Sequence, residues 1–520
     1  MFYKSMAAIQ NNKEKIYKLI LLAILISSAF IYLFNLGRES LFTDEYFSFY
    51  LARQPLKQIL LGHQTSTNPN TIPPLYETIL HFWLKIFGMS AFTQRSLSAL
   101  LGVLGVFLMY RLTRLLCDTP TGLIASLFAS LSFSWFSFFR QNRCYSLFIC
   151  LTLLSFHLFF QLYKNKKQRS ALIFLTITNI ALVYTNYFGF LAILCQIIFG
   201  LLEAKKNTAL IKKVFLMCLW VAFAYGPWYA NLIYDIRREP LMSIKIYYPQ
   251  LYLRILSIIS VFFTDFHFRW EPVLTLIYIP FIVRGWLRLY RQRDNYARYL
   301  FLLPFIVYCL TFSIIYSFTL SDRIRYYAAF SFPLFILLAV GMRNINTRGI
   351  RKIFLLLIFS FISVFNFTDF REFLTYSLNE DWKLAAQYVK QISDYKNKNM
   401  VFVFQTKYNP PVFAYYYWDT KVADTFINNI PDFQNYEGDL SAVNTKHRIY
   451  LISEEANDKR FFEKIGLFPD DAWIWLFRYH DPLASFYLRI YNEDKYFLHQ
   501  FPLNPELQQI DLYLLKKIKK

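Results

Sequence analysis

IYKLILLAILISSAFIYLFNL, residues 16–36, runs directly into Gly37-Arg38-Glu39-Ser40-Leu41-Phe42-Thr43-Asp44-Glu45-Tyr46. The first stretch carries a single charge, Lys18. As a helix it reaches about 30 Å, the thickness of a bilayer's hydrocarbon core. The second stretch sets two adjacent carboxylates just past the end of that span, with Tyr46, Phe47, Phe49 and Tyr50 behind them. Taken alone, Asp44 and Glu45 read as solvated loop charges, or as the N-terminal cap of a short amphipathic stretch over 45–53. The apolar run is too long for a cleavable leader and no small-residue cleavage site precedes the loop, so it is expected to be a retained span.

The rest of the chain changes the weight of that pair. Of 520 residues, 56% are hydrophobic and 20% aromatic, too apolar for a water-soluble protein of this length. The formal net charge of +22 is unevenly placed. From Arg371 onward there are 19 Lys and Arg against 20 Asp and Glu, so the excess of positive charge lies wholly in residues 1–370. There it crowds the gaps between apolar runs, a pattern of membrane topology and not of a nucleic-acid groove. The six cysteines, Cys117, Cys144, Cys150, Cys195, Cys218 and Cys309, sit in or beside apolar segments without a CxxC pair. They read as small apolar fillers, not as a disulfide framework or thiolate metal site.

Apolar runs predict about eleven spans, near 16–36, 96–116, 120–138, 144–163, 170–185, 187–203, 211–230, 272–290, 299–318, 326–342 and 352–368. Lys and Arg gather in one set of connections, at 4–18, 111–114, 164–169, 205–213, 284–298 and 343–352, which marks the cytoplasmic side. The N-terminus is then inside, and an odd number of spans puts the C-terminal part outside, on the face of Asp44 and Glu45. Two outer loops are long, 37–95 and 231–271. In the first, 76–87 reads as an amphipathic helix along the interface; in the second, 251–263 is apolar but too short to cross. Residues 371–520 form a second domain, expected as an extracytoplasmic α/β unit. Its helices are expected at 380–389 and 412–418, its strands at 400–404, 448–452 and 473–477, with a turn at Tyr408-Asn409-Pro410-Pro411.

Several arginines stand on the outer face, where topology alone does not ask for them. Arg140 and Arg143 lie in a short turn between spans, Arg323 and Arg325 in another, and Arg237, Arg238, Arg254 and Arg269 in the second long loop. Each alone is equally a snorkelling side chain. Together they suit a phosphate at the membrane interface, because guanidinium pairs with phosphate bidentately and stays charged. A carboxylate beside a lipid-linked phosphate can act as a base. An acceptor hydroxyl loses its proton to it while attacking an anomeric carbon, and arginines stabilise the departing phosphate. Such chemistry needs no nucleotide, consistent with the lack of a Gly-rich phosphate loop. The seven histidines show no HExxH; His63 and His81 read as interfacial polar residues.

These residues resemble the GT-C class of membrane glycosyltransferases, specifically the family-39-like group of dolichyl-phosphate-mannose protein mannosyltransferases and lipid A aminoarabinose transferases. The resemblance spans about 16–345. It rests on Asp44-Glu45, on Pro73-Pro74-Leu75-Tyr76, on Trp83-Leu84-Lys85-Ile86-Phe87-Gly88 through Arg95-Ser96-Leu97-Ser98-Ala99-Leu100, on Arg140 and Arg143-Cys144-Tyr145-Ser146-Leu147, and on Arg325-Tyr326. It implies a polyprenyl-phosphate sugar donor, an acceptor that is a glycan, lipid or protein, and inverting transfer on the outer face of the cell (inner or plasma) membrane. It also implies a catalytic carboxylate at Asp44 with Glu45 as its neighbour and, more loosely, arginine roles at Arg143 and Arg325; the expected site further includes Arg140, Tyr145, Arg323 and Tyr326 as donor-binding residues and a substrate loop with Pro73, Pro74, Tyr76 and Lys85. Two departures stand out: Ile72 replaces a histidine common before the proline pair, and Gln141 and Asn142 stand where many relatives have an acid. A divalent metal is therefore not favoured, and no cofactor is firmly implied.

Two other readings compete. A transporter or flippase of lipid-linked glycans would carry buried charges near mid-membrane or matched broken helices; here the charges gather at span ends and no halves match. A catalytically dead scaffold is opposed by the intact Asp44-Glu45 pair and mildly favoured by Ile72 and Gln141.

Overall fold

The computed structural model describes residues 2–38, 40–62, 73–164, 169–203, 207–238, 271–291, 328–343, 382–393, 400–404, 409–428, 438–439, 447–451, 473–479, 496–500 and 510–517. The spans expected at 299–318 and 352–368, the helix at 251–263, the boundary near 370, and Arg323, Arg325 and Tyr326 lie outside these residues.

The N-terminal region is helical: α1 (Phe2–Leu33), α2 (Thr43–Arg53), α3 (Leu56–Leu61), α4 (Leu75–Phe87), α5 (Ala91–Leu116), α6 (Thr119–Leu131), α7 (Phe133–Phe139), α8 (Tyr145–Lys164), α9 (Arg169–Val183), α10 (Gly189–Glu203), α11 (Thr208–Tyr225), α12 (Tyr229–Arg238), α13 (Glu271–Arg291) and α14 (Phe332–Arg343). By length and composition, Asn12–Leu33, Ala91–Leu116, Tyr145–Lys164 and Thr208–Tyr234 are each able to cross a membrane; Thr119–Leu131, Ser170–Val183, Gly189–Glu203 and Ala328–Arg343 are shorter apolar helices. Several helix starts follow local chemistry. Ser90, Asp118 and Asn207 each accept a hydrogen bond from the backbone N–H three residues on, starting α5, α6 and α11. The single span expected over 120–138 is instead two helices, because Ser132 is extended and caps the backbone N–H of Trp135.

Burial is graded across the bundle. The apolar window of α8 is 78% buried, whereas that of α1 is 17% buried and presents Leu19, Leu22, Ile26 and Phe30 outward. An outer surface of this kind is stable against lipid, not water. Inside, packing is supplemented by polar contacts between helices. Ser155 on α8, Asn179 on α9 and Gln196 on α10 close a fully buried triangle of hydrogen bonds at 2.5, 2.9 and 2.7 Å. Helices α13 and α14 approach more closely still: Gly285 lies on the carbonyl of Leu337, and Gly341 on that of Phe281. A Cβ at either position has no room, and small residues at facing positions allow this approach in apolar surroundings.

The C-terminal region contains α15 (Trp382–Ser393), α16 (Asn409–Tyr417) and α17 (Thr420–Asn428) with strands β1 (Met400–Phe404), β2 (Gly438–Asp439), β3 (His447–Leu451), β4 (Trp473–Tyr479), β5 (Tyr496–Gln500) and β6 (Ile510–Lys517). The sheet order is β2-β3-β1-β4-β6-β5, with β1 parallel to β3 and β4 and the outer pairings antiparallel. Every residue of β1 is buried, as a central strand of a mixed sheet requires. Two expectations change here. Pro410 and Pro411 open α16 instead of forming a turn, since the first helical turn needs no N–H from them. Strands β2, β5 and β6 are additions to the strands expected from the sequence.

Candidate active site

The end of α1, the start of α2, the start of α4, the start of α5 and the turn between α7 and α8 meet at one end of the bundle. Helix α2 begins after extended Phe42, and Glu45 in its first turn reaches back to accept the Phe42 N–H at 3.3 Å. The Glu45 side chain points inward and is fully buried. Arg95 on α5 grips it with both arms, Nε to Oε1 at 2.7 Å and Nη2 to Oε2 at 2.5 Å, and also donates to the carbonyls of Leu36 and Ser40. The backbone N–H of Asn142 donates to Glu45 Oε1 at 2.8 Å, and its side-chain amide to the Glu45 carbonyl. Asn142 Oδ1 accepts from Tyr76 Oη, which also meets Ser98 Oγ at 2.9 Å. This network is closed. A buried bidentate pair with further hydrogen bonds holds helices together and leaves no lone pair for a substrate.

Asp44 is one residue away and points elsewhere. Its side chain is 36% exposed, and its Oδ2 lies 3.9 Å from Nη2 of Arg143. Arg143 is anchored through Nη1, which donates to the Asp44 carbonyl at 2.9 Å and to Ser48 Oγ at 3.0 Å. Its Nε is buried and donates to nothing among the described residues. Burial works against the Arg143 charge, but Asp44, Tyr145, Cys144 and Glu77 outweigh it and hold the guanidinium well above its ordinary range. The rim of the site thus pairs an accessible carboxylate with a permanent cation that keeps a donor in reserve. Glu77, in the first turn of α4, lies behind them: Ser48 Oγ donates to its Oε1 at 3.3 Å, while its Oε2 is buried with no partner among the described residues.

The expected site residues separate under this geometry. Asp44, Arg143 and Tyr145 come together, with the guanidinium 5.8 Å from the Tyr145 ring centroid. Glu45 belongs to the supporting wall, as does Tyr76; Pro73 and Pro74 are buried at the entry to α4. Arg140, expected to bind donor, instead caps α1: its Nη1 donates to the carbonyls of Ile31, Tyr32 and Phe34 at 3.1, 3.2 and 2.6 Å. The open carbonyls of a helix end compete successfully for a nearby guanidinium. Lys85 is exposed in the last turn of α4, away from Tyr76 at its start. His81 is buried, its Nδ1 2.7 Å from the Ala52 carbonyl. Sequence reasoning misses Arg95, Ser48, Asn142 and Glu77 as site residues. For Arg95 a signal exists, since an arginine inside the start of a span demands an acid. Among the described residues, no three of His, Cys, Asp and Glu are grouped as metal ligands.

The outer face of α2 meets the C-terminal region. Arg53 pairs with Asp424 on α17 at 3.0 and 2.7 Å, Tyr46 Oη donates to the same carboxylate at 3.2 Å, and the Leu41 N–H donates to Tyr416 Oη at 2.7 Å. Tyr415 packs against Tyr46 and Phe49 at ring distances of 5.5 and 5.9 Å.

Residues 71–230, which include α4, α5, the Arg143 turn and the helices that follow, match the family model of dolichyl-phosphate-mannose-protein mannosyltransferases. The fold is similar to that of the Archaeoglobus fulgidus oligosaccharyltransferase: the apo structure superposes with a TM-score of 0.53 at 12% identity, over 92% of this chain and 73% of that one. The fold is that of the GT-C glycosyltransferases. The same archaeal enzyme with zinc and sulfate gives a TM-score of 0.50 at 12% identity over 78% of this chain, which spans 61% of that chain's length. ArnT from Cupriavidus metallidurans bound to undecaprenyl phosphate covers 96% of this chain and 98% of its own, with a TM-score of 0.49 at 12% identity. No curated protein sequence matches. The glycosyltransferase match begins two residues before the Pro73-Pro74 pair and includes Arg143 but not Asp44, so the first carboxylate enters the site by geometry.

Proposed function

We propose that this protein is an integral-membrane glycosyltransferase that moves a sugar from a polyprenyl-phosphate donor to an acceptor hydroxyl, with inversion, at the outer face of the cell membrane. The observation that carries the reading is the division between the adjacent acids: Glu45 is buried and held by Arg95 and Asn142, while the Asp44 side chain is partly exposed at the rim, 3.9 Å from Arg143. Asp44 is the general base. It takes the proton from the acceptor O–H as that oxygen attacks the anomeric carbon, and the bond from that carbon to the phosphate oxygen breaks on the opposite side. The polyprenyl phosphate departs with the bonding electron pair, and Arg143, with Nε still uncommitted, stabilises the charge that develops. Arg323, Arg325 and Tyr326 are proposed as further ligands of the donor phosphate. The C-terminal region, docked on α2 through Asp424 and Tyr416, is proposed as an extracytoplasmic cover over the site.

The experiment is transfer of radiolabel from a panel of polyprenyl-phosphate sugars in membranes containing wild type or Asp44→Asn. Label should leave the lipid with wild type alone, because the amide is nearly isosteric but cannot accept the proton. Equal turnover by the two proteins removes Asp44 from catalysis. No consumption of any donor, together with movement of labelled lipid across reconstituted vesicles, replaces the reading with a flippase.

A further inference from the structure

Behind the Asp44–Arg143 rim lies a buried carboxyl that the proposed reaction does not use. Glu77 is 2% exposed, and it sits in the first turn of α4, where an acid is ordinarily solvated and interacts with the helix end from outside. Here it faces inward onto α2. Ser48 Oγ bridges it to the site: the hydroxyl accepts from Arg143 Nη1 at 3.0 Å and donates to Glu77 Oε1 at 3.3 Å. Two groups on this bridge lack partners among the described residues, Arg143 Nε and Glu77 Oε2. An unpartnered buried carboxylate oxygen is costly, whereas the neutral acid removes most of that cost.

We propose that Glu77 is a positioning residue for donor binding: as a neutral acid it leaves Arg143 to the donor's phosphodiester, and as a carboxylate it competes for the same guanidinium through Ser48. The inference rests on Arg143 being the phosphate ligand. Other charges on the elements packed around α4 are already committed or distant. Glu45 pairs with Arg95, Arg53 pairs with Asp424, and Asp44 faces Arg143; Lys57 on α3 is exposed. On α4 itself, His81 is turned to the Ala52 carbonyl. Arg143 is thus the charge that bears on Glu77, with the Cys144 thiol beside it. Burial pushes the Glu77 carboxyl up to about 7, against the opposing pull of Arg143, its own backbone N–H and Ser48. Since the folded value lies above the ordinary one, the neutral form dominates below about pH 7 and the carboxylate above it.

The test is binding of farnesyl methyl phosphate, a diester that keeps one negative charge throughout, to the full-length protein in detergent from about pH 6 to about pH 8. Wild type should lose about tenfold in affinity over that range, Glu77→Gln should keep the acid-side affinity at both ends, and Ser48→Ala, which cuts the bridge but keeps both charges, should flatten the slope. In transfer assays the same change should appear in donor KM and not in kcat. A wild-type slope that Glu77→Gln and Ser48→Ala both retain, or no slope in wild type, overturns the role of Glu77. A separate result, Arg143→Ala binding the diester as tightly as wild type at pH 6, overturns the assignment of Arg143 itself.

Discussion

The wall behind α2 and the rim in front of it are built from the same residue types and differ in how completely those residues are satisfied. In the wall, Glu45, Arg95, Asn142, Tyr76 and Ser98 donate to and accept from one another at 2.5–3.3 Å, all of them buried. At the rim, Asp44 lies 3.9 Å from Arg143, and Arg143 Nε and Glu77 Oε2 are unpartnered among the described residues. A closed network supplies rigidity; the open one beside it is where the proposed chemistry is placed, because its spare donors and acceptors are held in position by the first. The turn after α7 places its two arginines differently: Arg140 Nη1 donates to three carbonyls at the end of α1, while Arg143, three residues on, faces the rim.

Breaking the wall should have the largest effect. Arg95→Met leaves Glu45 buried without its cation, at a cost of about 3–5 kcal/mol, so the protein should fail to accumulate or melt far below wild type in detergent. A melting temperature near that of wild type would mean the pair contributes little to the fold. Asp44→Asn should lower kcat by about 10²–10⁴-fold with an unchanged melting temperature, since the rim is not needed for folding. Coupled loss of stability would merge the two regions. Arg143→Ala should raise donor KM by about tenfold or more, whereas Arg111→Ala, near the far end of α5, should leave it unchanged. Equal effects would break the placement of donor phosphate at this end of the bundle. The smallest effect is expected at the outer face of α2: Asp424→Asn, which weakens the contact with Arg53 and Tyr46, should cost about 1–2 kcal/mol and speed proteolytic release of the C-terminal region.

The opposite end of the bundle sharpens the comparison. There Arg343 pairs with Asp118 and donates to Thr121 at 3.0 Å, and Lys164 donates to the Leu115 carbonyl at 2.5 Å. These are basic residues the charge pattern assigns to the cytoplasmic side, and they act as helix-end staples. They are the ordinary use of span-end cations, against which Arg143 stands out.

Much of this architecture is legible in the sequence. Runs such as 16–36, 144–163 and 211–230 are predominantly apolar, and a chain of that kind can satisfy its backbone in lipid only as helix. Likewise the amphipathic period of 76–87 and the apolar run 400–404 declare a helix and a central strand from local pattern alone. The acids Asp44 and Glu45, and the arginines Arg140 and Arg143, are legible as a site but not as individuals. Adjacent residues on a helix differ by about 100° in direction, so one faces Arg95 and the other the rim, and only the packing of α2 against α4 and α5 decides which. Glu77 is invisible in the sequence for the same reason. Its proposed role depends on Ser48 and Arg143, 29 and 66 residues away in the chain, and a carboxyl becomes unusual only when tertiary structure removes its water.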